Sequence, residues 1–203
     1  MTSAENVPSI DGRRARRDRN RETVVDAILG FYREGMLNPS LDQIAERSGV
    51  SHRSVFRYFE DLDELYKVAI ERHFAAIEPF VQLTEPVADD LAGRIEQFVE
   101  HRVQLYERIA PVARAARMRA PLNDLLADNQ ARNKSRMRKH ARAHFRADLD
   151  ALPADERDAL TNAVTLLVTF EAIEVMRFDQ GLSKRAATAT LIAALGRLLE
   201  PSP

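Results

Sequence analysis

Two arginines four residues apart, Arg53 and Arg57, lie in the run Ser51 to Phe59 with His52 and Ser54 beside them. A guanidinium can grip guanine O6 and N7 bidentately or pair with phosphate, so this set offers recognition of nucleic acid, not bond making. On a helix with Val55 set at zero, Phe59 falls at about 40° and the two arginines at about 160° and 200°. They face away from the residues that would hold the helix down. Alone, such a pair reads first as a solvated face. A second cationic group lies upstream, where Arg13, Arg14, Arg16, Arg17, Arg19 and Arg21 meet the single acid Asp18. The formal net charge is -1, so attraction to DNA has to come from local segregation of charge.

Other chemistries are thinly represented. The chain has no cysteine, which excludes disulfides, thiolate nucleophiles and Cys-ligated zinc. His140 and His144 have the i, i+4 spacing that binds metal on one helix face, but no third ligand is evident beyond Asp148 and neighbouring arginines repel cations, so no metal or other cofactor is expected. No nucleophile elbow, phosphate loop or HExxH occurs, and no enzyme is expected. From Ala131 to Ala147 the chain carries Arg132, Lys134, Arg136, Arg138, Lys139, Arg142 and Arg146 with no acid. That run reads as a solvated basic helix or, more sharply, as a face whose inward members attract an anion.

The elements that must position these residues are helices. Apolar residues recur at three and four, and glycine is scarce, so an all-α fold is expected. A first helix is expected from about Arg19 to Glu34, with Val25, Ile28, Leu29 and Tyr32 on one stripe and Gly35 ending it. Ser40 with Gln43 has capping-box spacing for a short second helix, broken by Gly49; a third runs from Ser51 to about Phe59, and Asp61 with Glu64 opens a fourth. Backbone N–H groups after Ser40 and Ser51 suit phosphates. Longer helices follow, over about Ala88 to Ile109 with a short piece to Met118, then Leu122 to Leu149, Ala154 to Phe178 and Ser183 to Leu199, punctuated by Pro86, Pro111, Pro121 and Pro153. The change of texture between Pro79 and Pro86 suggests a domain boundary: a flexible arm over 1–18, a DNA-binding domain over 19–80 and a second domain over 81–203. No window approaches the roughly 18 apolar residues of a membrane span, and a cytoplasmic protein without membrane association is expected.

The stretch LDQIAERSGVSHRSVFRYFEDLDELY, Leu41 to Tyr66, resembles the TetR family pattern of an I-A helix, a G-V-S turn, an aromatic-rich recognition helix ending in Y-F and a following leucine-bearing helix. The resemblance implies about nine helices: an N-terminal three-helix helix-turn-helix domain, and a C-terminal bundle that dimerises and binds a small effector. It implies double-stranded operator DNA as partner, contacted through Ser40, Ser51, His52, Arg53, Ser54, Arg57 and Tyr58, with Arg16, Arg17 and Arg19 on the backbone or in the minor groove. Two departures stand out. Phe56 occupies a position where the family commonly has a phosphate-binding tyrosine, and Leu62 one where it often has lysine, among Glu60, Asp61, Asp63 and Glu64.

The resemblance further implies a homodimer through the last helices, with Leu160, Val164, Leu167, Val168, Leu191, Ile192, Leu195 and Leu199 as candidate contacts, although these stripes serve equally to close their own core. An effector pocket is expected among the middle helices, with Phe98, His101, Arg102, Tyr106, Met118, Phe145, Phe170 and Met176 as candidate lining. The expected function is a repressor released by a small-molecule effector from a near-palindromic operator. The competing reading is a ligand-independent nucleic-acid or protein-interaction module whose C-terminal half only dimerises.

Overall fold

The computed structural model describes residues 10–82 and 88–200, and among these there is no strand. Ten α-helices follow in order: α1 (Ile10–Arg33), α2 (Leu41–Ser48), α3 (His52–Tyr58), α4 (Leu62–Val81), α5 (Leu91–Arg119), α6 (Asp124–His144), α7 (Arg146–Leu149), α8 (Ala154–Leu167), α9 (Phe170–Glu174) and α10 (Lys184–Leu199). They form two compact units. The first comprises residues up to Ala76 together with Pro111–Arg119, the second Ile77–Ala110 together with the residues from Ala120 onward. The boundary expected near Pro79 thus falls a few residues earlier, and the last turns of α5 belong to the first unit.

In the first unit the α1 stripe is buried as expected: Val25, Ile28, Leu29 and Tyr32 are at most 3% exposed. They pack with Ile44 of α2, Val55 of α3 and Leu65 and Ile70 of α4, all buried. α2 starts on the expected capping box, in which Gln43 N–H donates to Ser40 Oγ at 3.3 Å and Ser40 N–H to Gln43 Oε1 at 2.8 Å. Gly49 ends it at φ 65°, ψ 17°, a left-handed geometry that strains any residue with a Cβ. That turn re-aims the chain into α3. Polar links fix the helices: Arg47 of α2 donates to Glu34 at 2.7 Å and stacks 3.6 Å from the Phe31 ring centroid, while Arg72 of α4 binds Glu22 and Asp26 of α1.

Helix α1 begins at Ile10, about two turns before the expected start. Residues 10–18, read as a flexible arm, are therefore helical where they are described; residues 1–9 of that arm lie outside the described residues, as does Pro86. Arginine is a good helix former, and from Arg13 to Asp18 the run has no Gly or Pro to stop a helix that tertiary contacts already nucleate.

Three other boundaries differ. α5 runs straight through Pro111, although an interior proline costs roughly 3 kcal/mol; burial of Val112, Ala113, Ala115 and Ala116 just beyond it offsets that cost. The helix expected to Leu149 breaks at Phe145, whose φ of -98° and ψ of 25° separate α6 from α7. The helix expected from Ala154 to Phe178 breaks at Val168, and Thr169 caps a new start by accepting from Ala172 N–H at 3.2 Å. A five-residue π-helical turn, Val175–Asp179, follows α9. α8 and the segment Phe170–Asp179 meet at 43°, and no single described helix is long and apolar enough to cross a membrane.

The apolar stripes of α8 and α10 close the second unit's own core. Val164, Val168, Leu191, Leu195 and Leu199 are buried within the chain, and Leu160, Leu167 and Ile192 are half-buried. Five of the eight candidate dimer contacts are therefore buried within the chain itself. The large apolar residues left outside on these elements are Leu166 (67% exposed), Phe178 (63%) and Val175 (43%).

Candidate nucleic-acid interface

α3 is seven residues long and is held from beneath by Val55 and Tyr58, both buried. Its outer side presents Arg53 and Arg57, both exposed, with Ser54 half-buried beside them. Arg53 carries no hydrogen bond or ion pair among the described residues. Arg57 is held: its Nη2 donates to Tyr58 Oη at 3.0 Å. Asn20 of α1 donates to the same oxygen at 3.4 Å, which leaves the tyrosine proton for an outside acceptor. Burial opposes ionisation of Tyr58, but the hydrogen bonds from Asn20 and Arg57 and the charges of Arg57 and Arg17 together hold its hydroxyl below the ordinary tyrosine value. It is thereby a stronger donor toward an anion.

Because α1 extends to Ile10, its first turns stand across from α3. Arg13, Arg16, Arg17 and Asn20 together with Ser54, Arg57 and Tyr58 enclose a concave space of about 510 Å³. Four guanidinium groups and two hydroxyls with no acid among them make a place for phosphate oxygens. Arg16, Arg17, Ser54, Arg57 and Tyr58 were predicted from sequence; Arg13 and Asn20 were not in the predicted set, and their signal was helical phase, Arg13, Arg16, Arg17 and Asn20 falling on one face once α1 is started early. Arg19 is exposed but does not line this space.

The remaining predicted contacts divide. Ser40 is exposed and spends its acceptor on the cap. Ser51 opens α3 without a side-chain cap on the backbone, and its hydroxyl donates instead to Ser54 Oγ at 3.2 Å. His52 turns back to α2, with Nε2 3.0 Å from Asp42 Oδ1. The acids after α3 are engaged in starting α4: Glu64 N–H donates to Asp61 Oδ1 at 2.7 Å, and Glu60 N–H to Glu64 Oε2. Phe56 is 50% exposed on the flank of α3.

One residue that sequence reasoning missed secures the interface from behind. Arg119, at the end of α5, is buried, donates to the Leu37 carbonyl at 2.9 Å and Asn38 Oδ1 at 3.0 Å, and lies 3.9 Å from the Tyr66 ring centroid. Tyr66 in turn donates to the Pro39 carbonyl at 2.6 Å. The loop that leads into α2 is thus held at three consecutive residues. Burial pushes the Tyr66 hydroxyl up, against the nearby Arg119 charge, so it stays a neutral donor.

In the second unit the candidate effector residues form two groups. Phe98, Arg102 and Phe145 are buried with His101 and His144 close by: Phe98 stacks 5.2 Å from His144 and 5.0 Å from Phe145, and the Arg102 Cζ lies 5.0 Å from the Phe98 centroid. Tyr106 and Phe170 pair at 5.3 Å, with Tyr106 donating to Glu174 at 2.5 Å, and Met176 is buried. Met118 joins neither group; it is 46% exposed in the part of α5 that belongs to the first unit. Asp148, the possible third ligand to His140 and His144, is held bidentately by Arg94 at 2.6 and 3.1 Å, and the described residues contain no group of three or more metal-ligating side chains.

A short helix with an unpaired arginine outward, seated on a helix-turn-helix and flanked by a basic cradle, defines a DNA-binding transcription regulator. Residues 29–69 match the family profile described as bacterial regulatory proteins, tetR family. The matched segment is a TetR-family DNA-binding domain, and it supports reading the chain as a TetR-family transcriptional regulator. Solved structures share its fold at low identity. A transcriptional regulator from Rhodococcus sp. Rha1 is 18% identical with a TM-score of 0.65, covering 92% of this chain and 99% of that one. A proposed TetR-family transcriptional regulator from Rhodococcus sp. gives 17% and 0.63, covering 90% and 100%. A proposed transcriptional regulator from Streptomyces coelicolor A3(2) gives 21% and 0.52, covering 90% and 99%. No curated protein matches the chain.

Proposed function

We propose that the chain acts as a homodimeric repressor that places α3 of each protomer in the major groove of a near-palindromic operator and is released by a small-molecule effector. The observation that carries this reading is the basic cradle between α1 and α3, in which Arg13, Arg16, Arg17 and Arg57 converge with Tyr58 and no acid. It is built for a phosphate backbone, and Arg53 beside it is unengaged and available for a base edge. Two protomers related by a two-fold axis would set their recognition helices about 34 to 36 Å apart, one turn of B-DNA. A second copy of this chain is the occupant that suits the exposed Leu166, Val175 and Phe178, because apolar surface of that size is rarely left in water and a two-fold contact is self-complementary.

The test is selection of genomic DNA fragments on the purified protein at physiological salt, repeated with Arg53→Ala. An enriched site with two-fold symmetry, lost or degenerate in the variant, is the expected outcome. Enrichment without symmetry would overturn the dimeric reading, and no enrichment the regulatory one.

A further inference from the structure

Arg102 is 3% exposed, yet its Nε and Nη2 are buried with no hydrogen-bond partner. Burying a guanidinium without a counter-charge is costly, and such groups are normally paired. Among the described residues its neighbours supply none. Arg136 repels it and is itself bound to Glu78 at 2.5 Å. Burial and Arg136 together push the Arg102 guanidinium down to about 10. Around it stand His101, His140 and His144, all feeling its charge and all held below the ordinary histidine value, chiefly by burial. Each of the three also has a buried, unpartnered Nδ1. The phenylalanine rings of Phe98 and Phe145 complete the surroundings.

The two idle donors of Arg102 are not arbitrary. Nε–H and the Nη2–H beside it form one edge of the guanidinium, with parallel N–H bonds spaced to meet the two oxygens of a carboxylate. With Arg136 paired to Glu78, Arg102 is left without a counter-charge among the described residues. The matching ligand therefore carries one negative charge.

We propose that the Nε–Nη2 edge of Arg102 binds the carboxylate of a small monoanionic organic acid, whose apolar body packs toward Phe98 and Phe145, as the effector of this protein. That the acid acts as effector rests on the regulatory reading above; that it binds does not. His101 and His144 each direct Nε2 at a main-chain carbonyl, of Phe80 at 3.1 Å and of Arg94 at 2.8 Å. Those bonds fix the neutral rings with Nδ1 as acceptors, so they favour a ligand that also brings a hydroxyl or a water.

The full-length protein is titrated with acetate, butyrate, octanoate and benzoate, with the matching neutral amides, and with inorganic phosphate, following melting temperature and heat of binding. At least one carboxylate should bind about tenfold or more tightly than its amide and than phosphate, the factor expected when hydrogen bonds to a charge are lost. Arg102→Met should fold with an unchanged or higher melting temperature and bind acid and amide alike. Arg102→Lys, which keeps the charge but not the fork, should lose most of the preference. No carboxylate preference in the wild type, preference for phosphate, or a preference surviving in Arg102→Met would each overturn the proposal. Anisotropy with the selected operator separates the two readings. An acid that binds but leaves DNA affinity unchanged overturns its role as effector, whereas absence of DNA binding without any acid overturns the regulatory reading and leaves the carboxylate site standing.

Discussion

On the proposed reading Arg53 and Arg17 both meet DNA, but their settings assign them different work. Arg53 is on the outer side of α3 with no internal partner, and replacing it by alanine should cost about 1 to 3 kcal/mol on the selected site while relaxing preference at one base position. Arg17 lines the cradle. Arg17→Ala should weaken all sequences alike and reduce the slope of log K against log salt by about 0.9, the share of one phosphate. Titrating each variant against specific and scrambled duplexes at several salt concentrations checks both, and an altered base preference in Arg17→Ala would contradict the assignment. The α3 arginines were legible because their phase against Val55 is a local property of a helix. The His52 contact was not legible, because its partner Asp42 comes from another helix and nothing in the spacing of the two fixes a 3.0 Å contact.

Among the elements, the loop between α1 and α2 shows what local pattern omits. Its conformation depends on Arg119, which lies more than eighty residues away in sequence, and nothing in the spacing of Arg114, Arg117 and Arg119 marks the last of them for that role. Arg119→Met would leave the Leu37 carbonyl and Asn38 side chain without their charged donor. It should lower the stability of the first unit by about 2 to 3 kcal/mol, read from the denaturation midpoint. Arg119→Lys should recover only part, since one ammonium cannot reproduce two diverging bonds and the stacking on Tyr66. A loss no larger than that of an exposed arginine would show that the loop holds itself. The same limit explains the helix ends. Caps at Ser40 and Asp61 were readable because cap and N–H lie three residues apart. The survival of α5 through Pro111 and the break after Leu167 were not, because burial by distant segments decides them against propensity.

For the molecule as a whole, a net charge of -1 hides a strong division: the cradle is cationic, and the second unit buries Arg102 and three histidines together. His101, His140 and His144 meet Arg102 from α5, Arg136 from α6, Arg94, and the acids Glu78 and Asp148, which are already bound to Arg136 and Arg94. All three are held below the histidine value of the unfolded chain, near 6.5, with burial the leading cause. Between the two values the unfolded chain binds more protons than the folded one, so stability rises with pH there. The contribution is complete above about pH 6.5 and is lost as pH falls below it, levelling off only once the folded rings also protonate. The melting temperature of the wild type should therefore fall from pH 7 to pH 5, a window in which ordinary carboxylates stay ionised. Replacing all three histidines by glutamine should flatten that fall. A carboxylate on Arg102 should flatten it as well, since its negative charge offsets the repulsion that keeps the rings neutral. A wild-type profile that is level across this window, or a triple variant with the wild-type slope, would show that these buried rings do not govern the acid side of the stability curve.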